Sequence, residues 1–195
     1  MAKFHQWFQT LALPFVELSF HIYFGLRVIG RENLPEGGCV VCPNHTQNSD
    51  PPIAATAISN RHKMMCMAKK ELFAIKGLGP LITWLGAFPV DRSRADLTAI
   101  KTALKTVKDG KKLIIFPQGT RGAGEDEAKD GAAMLAMKTK APIVPMYISE
   151  NKKFRSHVTV IIGEPFLPDA DSKDYSALSR EILHRIYALR PEEDT

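Results

Sequence analysis

Residues 39–55 constrain the fold more than any other stretch of the chain. Cys39-Val40-Val41-Cys42 is an unbroken apolar run, and Asn44-His45-Thr46-Gln47-Asn48-Ser49-Asp50 follows as a polar turn. Pro51 and Pro52 then precede Ile53-Ala54-Ala55. A short apolar run bounded by turn residues reads as a buried strand, and proline at the first helical position supplies the φ that a first turn needs. The stretch is therefore a strand that hands directly to a helix. Asp50 stands where its carboxylate can cap that helix. In open α/β sheets, ligands are handled at the turns leaving the C-terminal ends of strands, and His45 and Asp50 share one such turn. A neutral imidazole can take a proton from an alcohol, and a carboxylate on its far nitrogen fixes the tautomer and stabilises the imidazolium that forms. Taken alone, the same residues also describe a helix cap beside an exposed histidine.

The rest of the chain repeats the alternation. Residues 26–30 read as a short strand, 33–38 as a turn, 51–60 as the helix after the polar turn at 44–50 and 64–68 as a strand. Residues 69–85 read as helix in two pieces, broken around Gly77 and Gly79-Pro80. Residues 88–90 form a short strand, and Ser93-Arg94-Ala95-Asp96 fits a capping box. Leu97, Ile100, Leu104 and Val107 then make a helical stripe that Gly110 ends. Strands are expected at 113–116, 143–148 and 158–162, a charged, glycine-rich loop at 117–126, and helices at 130–138 and through Leu178, Ile182, Ile186 and Leu189. Strands alternating with helices predict a single α/β domain whose sheet is largely parallel or mixed and flanked by helices. A chain of 195 residues fits one such domain.

Charge and cysteine usage narrow the function. The net charge of +5 points to an anionic partner: a phosphate substrate, an acidic membrane or nucleic acid. The lysines are scattered without interleaved aromatics beyond the N-terminus, which argues against nucleic acid. Cys39, Cys42 and Cys66 sit in apolar runs and read as buried thiols in a reducing compartment. The spacing Cys39-x-x-Cys42-x-x-His45 suggests zinc, with His62 and Cys66 as isolated further candidates. Strand alternation opposes it, because Cys39 and Cys42 would point apart. A c-type haem site would need histidine where Pro43 stands.

Residues 4–26 crowd Phe4, Trp7, Phe8, Phe15, Phe20, Tyr23 and Phe24 together. The apolar run is too short to span a bilayer, which takes ~20 residues, and it lacks the small-residue cleavage site of a signal peptide. Aromatic residues with scattered polar groups suit a helix lying in the membrane interface, or one packed on the domain's own core. Leu72, Phe73, Ile75, Leu78, Leu81, Ile82, Trp84 and Leu85 likewise exceed what one core-facing stripe needs: they could line an acyl groove or touch lipid, or equally be ordinary core.

The turn at 44–50 also resembles the H-x4-D motif of the glycerolipid acyltransferases, the PlsC-type family of 1-acylglycerol-3-phosphate acyltransferases. Gly86-Ala87-Phe88-Pro89-Val90-Asp91-Arg92, Phe116-Pro117-Gln118-Gly119-Thr120-Arg121 and Ala141-Pro142-Ile143-Val144-Pro145 look like that family's later blocks, in order. The resemblance implies an O-acyltransferase of phospholipid biosynthesis. It would move a fatty acyl group from an acyl carrier protein or CoA thioester to the sn-2 hydroxyl of lysophosphatidic acid, making phosphatidic acid. His45 would be the base and Asp50 its orienter. Arg121, Gly119, Thr120 and Arg92 would hold the phosphate, with Asn44 and Gln118 as possible supports. No cofactor or metal is implied. The chain would divide into a membrane-associating amphipathic helix at 1–26 and an acyltransferase domain at 27–195, working as a monotopic or peripheral protein on the cytoplasmic face of the cell membrane. The family usually has glutamate where Gln118 stands. A glutamate there would sit beside Arg121, so the exchange bears on the acceptor's head group. Another lysolipid or glycerol 3-phosphate is the alternative acceptor. A lipid hydrolase lacks its Gly-x-Ser-x-Gly elbow here, and a non-catalytic binder of acidic lipid leaves the His45–Asp50 pair without a purpose.

Overall fold

The computed structural model describes residues 6–58, 62–93, 95–121, 127–169 and 174–192. Seven strands form one sheet: β1 (Arg27–Ile29), β2 (Cys39–Pro43), β3 (Met64–Lys69), β4 (Ala87–Val90), β5 (Lys112–Ile114), β6 (Ile143–Ile148) and β7 (Thr159–Ile162). Their order is β1-β7-β6-β2-β5-β3-β4. Every neighbouring pair is parallel except β6 and β7, which run antiparallel. The helices are α1 (Gln6–Phe24), α2 (Asp50–Ile58), α3 (Leu78–Trp84), α4 (Leu97–Lys108), α5 (Gly131–Thr139) and α6 (Tyr175–Tyr187), with 3₁₀ turns at Arg31–Asn33 and Lys70–Ala74. The expected α/β architecture is the observed one.

β2 lies centrally, all five of its residues buried, with β6 on one side and β5 on the other. Its side chains alternate between two cores. Cys39 and Val41 join Ile53, Ile114, Val144 and Ile148 on one face. Val40 and Cys42 join Leu113, Leu135, Ile143 and Ile182 on the other. The two cysteines thus point apart, as the strand period requires. Burial pushes the Cys39 thiol up to about 11 despite the nearby Lys112 charge.

Helix α1 belongs to the fold and also to the surface. Leu13 and Phe24 enter the Val41 core, and the Gln9 amide donates to the Met64 and Leu85 carbonyls. Trp7, Leu11, Phe15, Leu18 and Ile22 are 56–68% exposed. At 3.6 residues per turn these five fall within an arc of about 80°, opposite the core-facing residues. The apolar residues of the expected amphipathic helix therefore divide between two opposed faces. The exposed stripe meets α3 through Phe8 and Trp84, whose rings are 5.3 Å apart.

Three local readings change. Gly79 and Pro80 do not break a helix; they lie in the first turn of α3, where proline is tolerated. The α4 cap is Asp96 rather than Ser93: its carboxylate accepts from Thr98 N at 3.1 Å and Ala99 N at 3.0 Å, while Ser93 Oγ donates to Asp91. Arg94, between them, lies outside the described residues, as do 122–126 of the expected loop and the end of α2 expected at 60. Finally, the α4 stripe holds except at its first residue: Val107 is buried and Ile100 and Leu104 are partly buried against the same core as Ala99 and Ala103, while Leu97 is 67% exposed.

Asp96→Ala should cost about 1 kcal/mol, the usual worth of an N-cap, whereas Ser93→Ala should leave α4 capped. Urea unfolding midpoints of the two variants check this, and equal midpoints would return the cap to Ser93.

Candidate active site

The site collects at the C-terminal ends of the parallel strands, where the segments leaving β2, β4, β5 and β6 meet. His45 Nδ1 donates to Asp50 Oδ2 at 3.0 Å, so the lone pair of the neutral ring lies on Nε2. The imidazole leans on the Phe116 ring at 4.3 Å between centroids.

Asp50 opens α2 without capping it. An N-cap carboxylate serves the N–H of the second or third helical residue. Here these are Pro51 and Pro52, neither of which has an N–H, and Ile53 N already donates to Ser49 O at 3.0 Å. The carboxylate instead turns back onto its own turn, where Oδ2 accepts from Thr46 N at 2.6 Å and Gln47 N at 2.7 Å. Its other oxygen, Oδ1, meets Lys152 Nζ at 2.9 Å, with both side chains essentially inaccessible to solvent. Lys152 also donates to Thr46 Oγ1 at 2.9 Å. Burial alone would raise the Asp50 pKa. The His45 hydrogen bond, the Lys152 charge and the Gln47 N–H outweigh burial and hold it below the ordinary carboxylate value.

The sequence reading missed Lys152. It stands in an Asn-Lys-Lys-Phe-Arg run that looks like a solvated loop. Only the β6–β7 geometry distinguishes it from its exposed neighbour Lys153.

The other expected residues divide. Arg121 is exposed and donates to Asn48 Oδ1 at 2.7 Å, which brings it to the histidine's own turn. Arg92 is exposed and donates to the Gly119 carbonyl, joining the β4 and β5 blocks. Asp91, next to Arg92 in sequence, takes Lys70 Nζ at 2.7 Å; hydrogen bonds from Lys70 and Ser93 hold its carboxyl well below the usual range. Gly119 has φ +71°, a conformation glycine adopts without strain, and Thr120 is exposed beside it. Asn44 is buried and supports the strand end: its amide donates to Ile148 O and its oxygen accepts from Ile148 N. Gln118 is also buried, turned toward His45 and not toward Arg121, beside which a glutamate there was expected to sit. Its oxygen accepts from His45 N at 2.9 Å and its amide donates to Tyr187 Oη at 3.1 Å. The side chain supports the histidine's backbone because Gln118 faces inward from a turn whose Arg121 faces solvent.

A family model described as Acyltransferase matches residues 25–149. The chain belongs to the acyltransferase family. This acyltransferase is 36% identical over 172 residues to the 1-acyl-sn-glycerol-3-phosphate acyltransferase of Bacillus subtilis, covering 83% of this chain and 85% of that one. It is 36% identical over 115 residues to the enzyme of that name from Streptococcus pneumoniae, covering 58% of this chain but 42% of the relative. The crystal structure of the 1-acyl-sn-glycerophosphate (LPA) acyltransferase PlsC from Thermotoga maritima matches this acyltransferase's fold with a TM-score of 0.69. It has 24% identity, over 94% of this chain and 81% of that one.

The depressed Asp50 pKa has a defined consequence for stability. A carboxylate whose folded pKa lies below its unfolded value stabilises the fold above the unfolded value, and that contribution fades as pH falls through the folded one. The acyltransferase should therefore lose stability as pH drops below about 4. Asp50→Asn, though less stable at neutral pH, should lose less over the same window. Urea midpoints across this range check it; parallel slopes for the two proteins would assign the loss to other carboxylates.

Proposed function

We propose that the chain transfers an acyl group from a thioester to the sn-2 hydroxyl of 1-acylglycerol 3-phosphate, yielding phosphatidic acid and a free thiol. The observation that carries the reading is His45 held by buried Asp50 on the turn that Arg121 also reaches. The hydroxyl O–H bond breaks, its proton passing to His45 Nε2, while the oxygen bonds to the thioester carbonyl carbon. The tetrahedral intermediate then collapses, the C–S bond breaks, and the thiolate leaves with the proton returned by His45. Asp50 balances the imidazolium between those two events. Arg121 and Arg92, exposed at the rim, suit a phosphomonoester because a guanidinium can donate two parallel hydrogen bonds. Acyl carrier protein and CoA remain equivalent as donors in this scheme.

A panel of acyl thioesters with lysophosphatidate, zwitterionic lysolipids and glycerol 3-phosphate tests the reading. Transfer to lysophosphatidate should dominate. His45→Ala should cost on the order of 10²–10⁴-fold. Arg121→Ala should raise the acceptor KM and spare the donor KM, since a charged hydrogen bond is worth about 1.5–3 kcal/mol. Free fatty acid as the sole product would mark a hydrolase, and transfer by well-folded His45→Ala would remove the base.

The same reading places the enzyme on a membrane surface. No helix among the described residues is long and apolar enough to cross a bilayer. The exposed stripe of α1 and the exposed Leu81 and Trp84 of α3 form an apolar surface that a lipid interface would cover. Deleting α1 would also remove Leu13 and Phe24 from the core, so the stripe itself is the proper target. Leu11→Ser with Phe15→Ser and Leu18→Ser should keep the melting temperature and abolish salt-resistant cosedimentation with anionic vesicles. Undiminished cosedimentation would count against the surface.

A further inference from the structure

Lys152 has a place in the acyltransferase that neither the family motifs nor the composition indicate. It is one of two adjacent lysines in the segment between β6 and β7, yet its side chain is buried and ends on Asp50 Oδ1 at 2.9 Å. Neighbouring contacts hold the segment down. Ser149 N donates to Thr159 O at 3.0 Å, Arg155 N donates to Tyr23 O at 2.8 Å, and the Phe154 ring packs on Tyr23 at 5.3 Å. The ammonium has a second acceptor, Thr46 Oγ1, within the catalytic turn itself.

We infer that Lys152 is a positioning residue for acyl transfer: its buried ammonium holds Asp50 ionised and oriented, so that His45 stays neutral and able to accept the hydroxyl proton. The inference rests on the proposed role of His45 as the base. A carboxylate buried with imidazole as its sole charged partner favours the imidazolium, because that pairing balances the buried charge. A histidine protonated before substrate arrives cannot act as a base. Lys152 supplies a counter-charge on the other oxygen, so the carboxylate that orients the ring is already paired. Transfer of the hydroxyl proton then creates the imidazolium only when the substrate provides it.

The charged and titratable groups around the pair come from several elements. The β6–β7 segment presents Lys152. Arg121, from the segment after β5, reaches Asn48 of the same turn, while Gln118 and Phe116 from that segment carry no charge. Tyr187 of α6 approaches through Gln118, and Arg190 lies over the Tyr187 ring. Of these, Lys152 is the group seen on the carboxylate itself.

The test is the pH dependence of kcat/KM for wild type, Lys152→Met and His45→Ala, with melting temperatures for each. In Lys152→Met, the acid limb of the profile should move to higher pH by about one unit, the effect of removing one close charge. A lower plateau with an unmoved limb would overturn the inference and leave Lys152 as a structural ion-pair partner. If Lys152→Met does not fold, Lys152→Gln, which keeps a hydrogen-bond donor without the charge, takes its place in the same comparison. An unmoved limb in that variant would likewise overturn the inference. The two readings fail separately: activity in His45→Ala refutes the base, whereas an inactive His45→Ala beside an unmoved Lys152→Met limb refutes only Lys152.

Discussion

The buried carboxylate of Asp50 is the interaction on which the rest of the site depends. It draws hydrogen-bond donors from the turn after β2, from His45 and from the β6–β7 segment onto two oxygens. Removing a charge from water costs several kcal/mol, and this arrangement offsets the cost only because every donor is in place. The proline pair at the start of α2 makes it possible. Pro52 has no N–H for a capping carboxylate to serve, and the donor of Ile53 is taken by Ser49. The carboxylate is thus left for the histidine. The same prolines that made the stretch legible as a helix start are the reason Asp50 is not a helix cap.

The sheet explains why distant segments can reach that carboxylate. β2 lies between β5 and β6, both parallel to it, so all three release their chains at the same end. The segment after β5 brings Gln118 under the histidine's backbone, and the segment after β6 brings Lys152 to the carboxylate. Asn44 locks the junction by exchanging two hydrogen bonds with Ile148, extending the β2–β6 ladder one residue beyond the strand. Helix α1 is part of the same assembly rather than an appendage. It fills one core with Leu13 and Phe24, and its end receives the β6–β7 segment through Tyr23.

Local patterns carried most of the fold and half of the site. Strand period and turn chemistry are short-range, so the alternation of strands and helices was readable, as was the histidine and aspartate in one turn. The failures have a common physical origin. Lys152 meets Thr46 across 106 residues of sequence, and nothing in a run of polar residues marks which lysine will be buried. Gln118 stands three residues from Arg121, which suggested contact, but in a tight turn neighbouring side chains leave in opposite directions. On α4 the expected stripe failed only at Leu97, in the exposed first turn, while Ile100, Leu104 and Val107 pack as the helical period requires. Each failure concerns a tertiary contact that neighbouring residues in the sequence do not determine.

The charges at the site sort by depth, and the sorting fits the chemistry proposed for it. Inside, Asp50 and Lys152 balance each other, and Gln118 adds no charge. At the rim, Arg92 and Arg121 are exposed, each held by a neutral oxygen acceptor, Gly119 O or Asn48 Oδ1. A guanidinium parked on a neutral acceptor gives up less on meeting a phosphate than one already paired with a carboxylate. Deep inside, a balanced pair lets the histidine gain a proton without opposing a standing net charge. Moving either arginine inward would add an uncompensated cation beside the imidazolium. Moving Lys152 outward would leave the Asp50 carboxylate buried without that counter-charge. The separation of exposed arginines from a buried, charge-balanced pair beside His45 is thus what the proposed mechanism asks of the site.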